Sequence, residues 1–232
     1  MPLPLEIDSQ NQLREHRELP AVSPAIKNIA KLVSFIFHPV FIPIYVMGFL
    51  LYVHPYVFAG FNSWNKKIVL IQSLAMFTFF PLVTVLLLRG LKFIDTIYLK
   101  TQRDRIIPYT ACMIWYFWVA YVWFNLPDFP IEPVYYAGGI FIASFAGLMG
   151  NVVMKVSMHT VALGVSLTFL FILAFTGEIS FGIYLAVAVL ITGLVSSARL
   201  LSSDHTNKEI YTGLVLGAVS MLFARWMISF LG

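Results

Sequence analysis

FGIYLAVAVLITGLVSSARLLSSDHTNKEIYTGLVLGAVSMLFARWMISFL (181–231) holds two apolar runs with a short polar stretch between them. Each run, about 181–198 and 210–231, approaches or exceeds the roughly 20 residues with which a helix crosses the hydrocarbon of a bilayer. Between them Arg199, Asp204, His205, Lys208 and Glu209 crowd together. A stretch of this kind is either a wet loop joining two spans or a reaction centre at the mouth of a membrane bundle.

The rest of the 232-residue chain repeats the pattern. Hydrophobic residues make up 59% and charged residues 11%, and the mean hydropathy is +0.84. A soluble core of this size does not bury so much apolar surface, so lipid must be the solvent for much of it. Further windows lie at about 32–53, 68–88, 108–126, 134–154 and 160–176, for about seven spans in all. Their apolar runs are continuous rather than alternating, which argues against a membrane β-barrel. Pro39, Pro43 and Pro81 predict kinks in the first two spans. Gly138, Gly139, Gly147 and Gly150 predict close helix approach. The expected fold is all-α, a polytopic transmembrane helix bundle.

Residues 1–28 read as a polar lead-in and 29–232 as one transmembrane domain. The lead-in lacks the cationic start, apolar middle and cleavage site of a signal peptide, so the first span is expected to be retained. Cys112 is the only cysteine, which rules out an intrachain disulfide. The net charge of +4 is spread through the loops rather than gathered on a soluble module, so it is no nucleic-acid signal. With seven spans, Arg14, Arg17, Lys27, Lys31, Arg89, Lys92, Lys100, Arg103, Arg105, Lys155, Arg199 and Lys208 share one face. Lys66, Lys67 and Arg225 lie on the other. The positive-inside rule makes the charged face cytoplasmic.

That face carries three polar stretches: KTQRDRIIP (100–108), KVSMH (155–159) and ARLLSSDHTNKE (198–209). Ionisable groups so close to hydrocarbon are costly unless they face a cavity or one another. Arginine offers a planar fork that matches phosphoryl oxygens, and lysine adds a compact charge. A neutral imidazole can attack phosphorus while a protonated one supplies the leaving oxygen with its proton. His205 and Glu209, four apart at the start of the last helix, share one face. The carboxylate there can hold one ring nitrogen and aim the other, as the third member of a triad does.

The order and spacing of these stretches resemble the type 2 phosphatidic acid phosphatase superfamily, membrane enzymes related to bacterial acid phosphatases and vanadium haloperoxidases. Its signature is K-x6-R-P, P-S-G-H and S-R-x5-H-x3-D. The third stretch is the nearest match, with Arg199, His205 and Glu209, although Glu replaces Asp and Ala198 replaces Ser. In the second, Ser157 and His159 match, while Val156 and Met158 stand for Pro and Gly. In the first, Lys100 and Pro108 match and Ile107 takes the arginine's place. Arg105 fits an additional arginine found in many members. The resemblance covers roughly residues 90–230. It implies a phosphatase-like helical core with His205 as nucleophile, Glu209 orienting it and His159 as general acid. Lys100, Arg105, Ser157 and Arg199 would cradle the phosphate, with no cofactor and no metal. The implied partner is a phosphorylated lipid: phosphatidate, phosphatidylglycerol phosphate, undecaprenyl diphosphate or a lipid A phosphate. The implied location is the bacterial inner membrane. Members usually work on the outer or lumenal face, against the inward charge count here.

Plainer readings stand beside these. Arg103 and Arg105 serve equally well as topology determinants. His159 fits a helix cap, Asp204 an N-cap of the last helix, and His38 and His54 turn or interface residues. Asn151 and Lys155 fit either a cavity lining or an interhelical hydrogen bond and a snorkelling lysine. A transporter would place its polar groups near mid-membrane with inverted repeats. A zinc hydrolase built from His159, His205, Asp204 and Glu209 lacks a recognised ligand spacing. A non-catalytic relative that binds a phosphorylated lipid is the remaining alternative.

Overall fold

The structure is a computed structural model that describes residues 5–7, 13–15, 23–94, 102–177, 181–202 and 205–231. Side chains are described for 23–94, 106–177, 181–202 and 205–231. Within the lead-in, β1 (Leu5–Ile7) and β2 (Leu13–Glu15) pair antiparallel, with Glu6 opposite Arg14. Among the described residues, every regular element after it is a helix.

Six helices are long and apolar enough to cross a membrane. The first runs from Ser63 to Gly90 as α3 (Ser63–Leu74), a π turn (Ala75–Phe79) and α4 (Phe80–Gly90). Pro81 explains the π turn: it lacks an N–H and its ring displaces the preceding carbonyls, so the ladder takes in an extra residue. The others are α5 (Gln102–Phe124, of which 106–124 is the apolar span), α6 (Ile131–Val153), α7 (Met158–Thr176), α8 (Gly182–Leu201) and α9 (Asn207–Leu231). Only 17% of the α8 span, and 44% of the α6 and α7 spans, is buried inside the protein. Outward residues such as Val153, Phe175, Leu190 and Phe230 are large and apolar. An integral membrane protein is the only sense this surface makes, because in water such a patch would drive aggregation.

The expected first span, 32–53, is not one helix. It is α1 (Pro24–Ile36), a break at 37–41, and the short α2 (Ile42–Tyr52). Pro39 and Pro43, four residues apart, remove two donors from what would be consecutive turns. Side chains from elsewhere then satisfy the freed carbonyls. Tyr45 Oη donates to Ile36 O (2.8 Å), Thr78 Oγ1 of the π turn donates to Val40 O (2.8 Å), and His159 Nε2 bonds Ser34 O (3.0 Å). Irregular backbone survives at membrane depth only where protein groups meet it in this way. Helix α1 begins inside the polar lead-in, with Ser23 as its N-cap. Its Ile29, Leu32 and Phe35 are exposed beside Lys27 and Lys31, while Ala30 and Ser34 are buried.

A core of Trp123, Tyr136, Phe77, Phe169, Met47 and Leu50 ties the spans together. Tyr136 Oη and Ser166 Oγ share a hydrogen bond of 2.8 Å, which removes the cost of burying the phenol. The closest approach is between α7 and α9. A Cβ on Gly217 would overlap Val161 O, and one on Gly164 would overlap Leu214 O. Only glycine allows backbones this near. The start of α7 is thereby set against the start of α9.

Candidate active site

Helix alternation carries the second and third polar stretches to one end of the bundle. Ser157 and His159 open α7, Arg199 lies in the last turn of α8, and His205 and Glu209 open α9. Lys100 lies outside the described residues. Arg105 is in the first turns of α5, but its side chain also lies outside them, so the first stretch contributes nothing to the geometry that follows.

His205 Nδ1 is 2.9 Å from Glu209 Oε2. A carboxylate only accepts, so Nδ1 carries the proton and Nε2 keeps its lone pair. The same oxygen accepts the Thr206 N–H (3.1 Å), and Thr206 Oγ1 accepts the Glu209 N–H (3.3 Å). This is a reciprocal capping box on α9. Capping therefore falls to Thr206 and Glu209, and Asp204 lies outside the described residues. Glu209 thus has two duties: it starts the helix and fixes the imidazole. The His205 side chain is only 5% exposed. Burial holds its ring below the usual imidazole range, Arg199 and Lys155 push the same way, and the Glu209 hydrogen bond opposes them. A neutral ring with a bare Nε2 is the form a nucleophile needs.

His159 Nε2 must donate to the Ser34 carbonyl, since a carbonyl has nothing to give. Its Nδ1 is left for chemistry. Ser157 is fully buried, and its Oγ finds no hydrogen-bond partner among the described residues; Ser34 Oγ, 7% exposed, is likewise unmatched. Two orphaned hydroxyls beside one histidine mark a place where an oxygen-rich ligand would repay the cost of burying them. Arg199 acts electrostatically on His159 and His205 together, and His205 also on His159.

Two further residues, which lie outside the three polar stretches, complete the cluster. His38, in the α1–α2 break, has its ring centroid 5.5 Å from that of His159, edge-on at 81°. Its Nδ1 accepts the Val40 N–H (3.4 Å), so the turn reading of this residue is correct but incomplete. His38 is exposed as a residue, yet the burial of its inner edge, and then Arg199, lower its affinity for a proton. Ser34 is the other. The only sequence signal for either was the doubled proline that breaks the first span. His54, by contrast, is a turn residue whose Nδ1 accepts from the Tyr56 and Val57 N–H groups. It lies at the far end of the bundle, where a cavity of about 510 Å³ is also lined by Asp128 and Glu132.

Asn151 is buried at the end of α6 and Lys155 is half-buried after it, both near the cluster end of the bundle. Among the described residues no three His, Cys, Asp or Glu side chains are grouped as metal ligands. No family model, curated protein or solved structure matches the chain.

Proposed function

We propose that this protein is an integral membrane phosphatase that hydrolyses a lipid phosphate monoester, or removes one phosphate from a lipid diphosphate, through a phosphohistidine. The observation that carries the reading is the His205 Nδ1–Glu209 Oε2 contact of 2.9 Å, with Arg199 acting electrostatically on the ring. His205 Nε2 attacks phosphorus, the P–O bond to the lipid breaks, and the leaving oxygen takes a proton. Arg199 and the Ser157 hydroxyl meet the charge on the equatorial oxygens, with Lys100 and Arg105 assigned to the same task by the family resemblance. His159 is the resemblance's proton donor. Its Nε2–H is committed to Ser34 O, so the transferred proton must leave from Nδ1. Water then attacks the phosphohistidine and releases inorganic phosphate. On the charge count, the site faces the cytoplasm, and by resemblance the membrane is the bacterial inner membrane.

The test is phosphate release by the purified protein from a panel of phosphatidate, phosphatidylglycerol phosphate, undecaprenyl diphosphate and lipid A phosphates. Turnover with an acid-labile phosphoenzyme is the expected result. Binding across the panel with no turnover supports a second reading, a non-catalytic lipid-phosphate binder. The capping box favours that rival, because helix initiation alone accounts for keeping Glu209.

A further inference from the structure

The α1–α2 break lies outside all three polar stretches that suggested a phosphatase, yet it reaches the middle of the cluster. Three facts about it need a common explanation.

First, Ser34 Oγ is buried, 7% exposed, and lacks a partner among the described residues, although its own carbonyl is bonded to His159. An unmatched buried hydroxyl costs about 1–3 kcal/mol, a penalty that a ligand oxygen would remove. Second, His38 accepts the Val40 N–H on Nδ1, so in the neutral ring the proton sits on Nε2. The ring meets His159 edge-on. Its inner surroundings supply Arg199 from α8 and His159 from α7 as the charged or titratable neighbours. A neutral imidazole N–H within the electrostatic reach of a guanidinium is a donor for an anion. Third, an apolar groove begins at the same break. It holds a cavity of about 220 Å³ between α2, α7 and α8, and Phe37 and Ile42 bracket its upper end. Leu163, one turn below His159, and Thr192, two turns below Arg199, continue it towards Leu170 and Tyr184.

The groove is dry. Of its lining hydroxyls, Ser166 is used by Tyr136 Oη and Ala162 O, Thr192 by Ala188 O and Tyr45 by Ile36 O. Its rim is open, with Tyr45 47% and Val187 50% exposed. From His159 to Leu170 is eleven residues of helix, about 16 Å at 1.5 Å per residue. That is about half of the ~30 Å hydrocarbon core, the depth of one leaflet. A cationic, donor-rich head and an apolar trough one leaflet deep complement an amphiphile with an anionic headgroup.

Building on the phosphatase reading, we infer that the last turn of α1 and the α1–α2 break form a substrate-binding element in which Ser34 Oγ and His38 Nε2 donate to phosphoryl oxygens while the groove below takes the lipid's hydrocarbon chain. The break thus offsets the loss of the first-stretch arginine, whose place Ile107 occupies. The donors it supplies are neutral, so they add hydrogen bonds without adding charge to a crowded cationic site. Both residues touch the ligand's headgroup, whereas Phe37, Ile42 and Ala188 touch its chain.

The experiment measures binding of hexadecyl phosphate and of butyl phosphate to the full-length protein in detergent, with turnover recorded separately. Ser34→Ala and His38→Ala each weaken both ligands about tenfold, the effect of one hydrogen bond to a charged group. His38→Asn, which keeps an acceptor and a donor, restores most of the loss. Ala188→Trp fills the groove and abolishes the preference for hexadecyl over butyl phosphate. Elution volume and thermal midpoint in detergent establish that each variant is folded. Wild-type affinity for both ligands in Ser34→Ala and His38→Ala, or an intact chain-length preference in Ala188→Trp, overturns the inference. If the wild type binds and the variants weaken it without turnover in any of them, the binding element stands and the hydrolase reading falls. If the wild type turns over lipid phosphate and the variants bind as it does, the reverse holds. Failure of the wild type to bind either ligand removes both.

Discussion

Substituting Gly213 with alanine tests how the site is assembled. Gly213 lies on α9, one turn after Glu209, and faces the first turn of α7. A Cβ there would overlap Thr160 Oγ1 and come within 2.8 Å of Ser157 O, where ordinary contact begins near 3.4 Å. The shortfall at the carbonyl is thus about 0.6 Å, and the hydroxyl conflict is greater. Neither atom can yield alone, because Thr160 Oγ1 donates to that same Ser157 O at 2.9 Å. The first turn of α7 must therefore lift from α9 and take Ser157 and His159 away from His205. Overpacking of this kind costs about 1–3 kcal/mol of stability. A displacement on the order of 1 Å in a reacting constellation costs about a hundredfold in rate. Gly213→Ala should thus lower the thermal midpoint in detergent and reduce phosphate release by one to two orders of magnitude, roughly. Gly193→Ala is the control: beyond its own helix turn, no atom of the described residues lies within 4 Å of its would-be Cβ, so it should be neutral or gain about 0.5–1 kcal/mol of helix stability. Wild-type activity and melting in Gly213→Ala would refute the claim that the α7–α9 contact sets the site.

Four other outcomes follow from the geometry. His205→Ala should abolish phosphate release from short-chain lipid phosphates with the fold intact, and full residual activity would reject it as nucleophile. Glu209→Gln keeps a residue able to cap α9, so melting should change little. It removes the influence that raises the His205 proton affinity, so the acid limb of the pH–rate profile should move to lower pH as kcat falls; a limb that moves upward contradicts the assignment. Ser157→Ala deletes a hydroxyl unpartnered among the described residues, so stability should hold or rise while KM for the phosphate ester increases. Activity should survive chelators, and a strict requirement for added zinc or magnesium would favour a metal-dependent mechanism instead.

Much of the fold was legible because lipid imposes simple rules. A run of apolar residues long enough to cross must be a helix, and six of the seven expected windows are continuous spans. The seventh illustrates the limit. Composition marked 32–53 as apolar and Pro39 and Pro43 as kinks. Whether two prolines bend a helix or end it depends on whether distant side chains can satisfy the freed carbonyls. Here Tyr45, Thr78 and His159 do so, and the last two lie about 40 and 120 residues further along the chain. The same limit hid Ser34 and His38 from the candidate site. Neither lies in a recognisable spacing, and their relevance comes from a contact between α1 and α7 that no local pattern encodes.

The sequence by itself determined that the chain is a membrane bundle of helices and that Glu209, four residues after His205, shares its face. Both follow from short-range physics, hydrophobic length in one case and the helical repeat in the other. Tertiary structure alone decided that His159 bonds a backbone carbonyl of α1, that His38 packs against it, and that an apolar groove opens beneath them. Those contacts join residues far apart in the chain, and they exist because glycines on α7 and α9 allow the helices to touch and prolines divide the first span. Packing of that kind is a property of the assembled bundle, so no single stretch of the chain carries it.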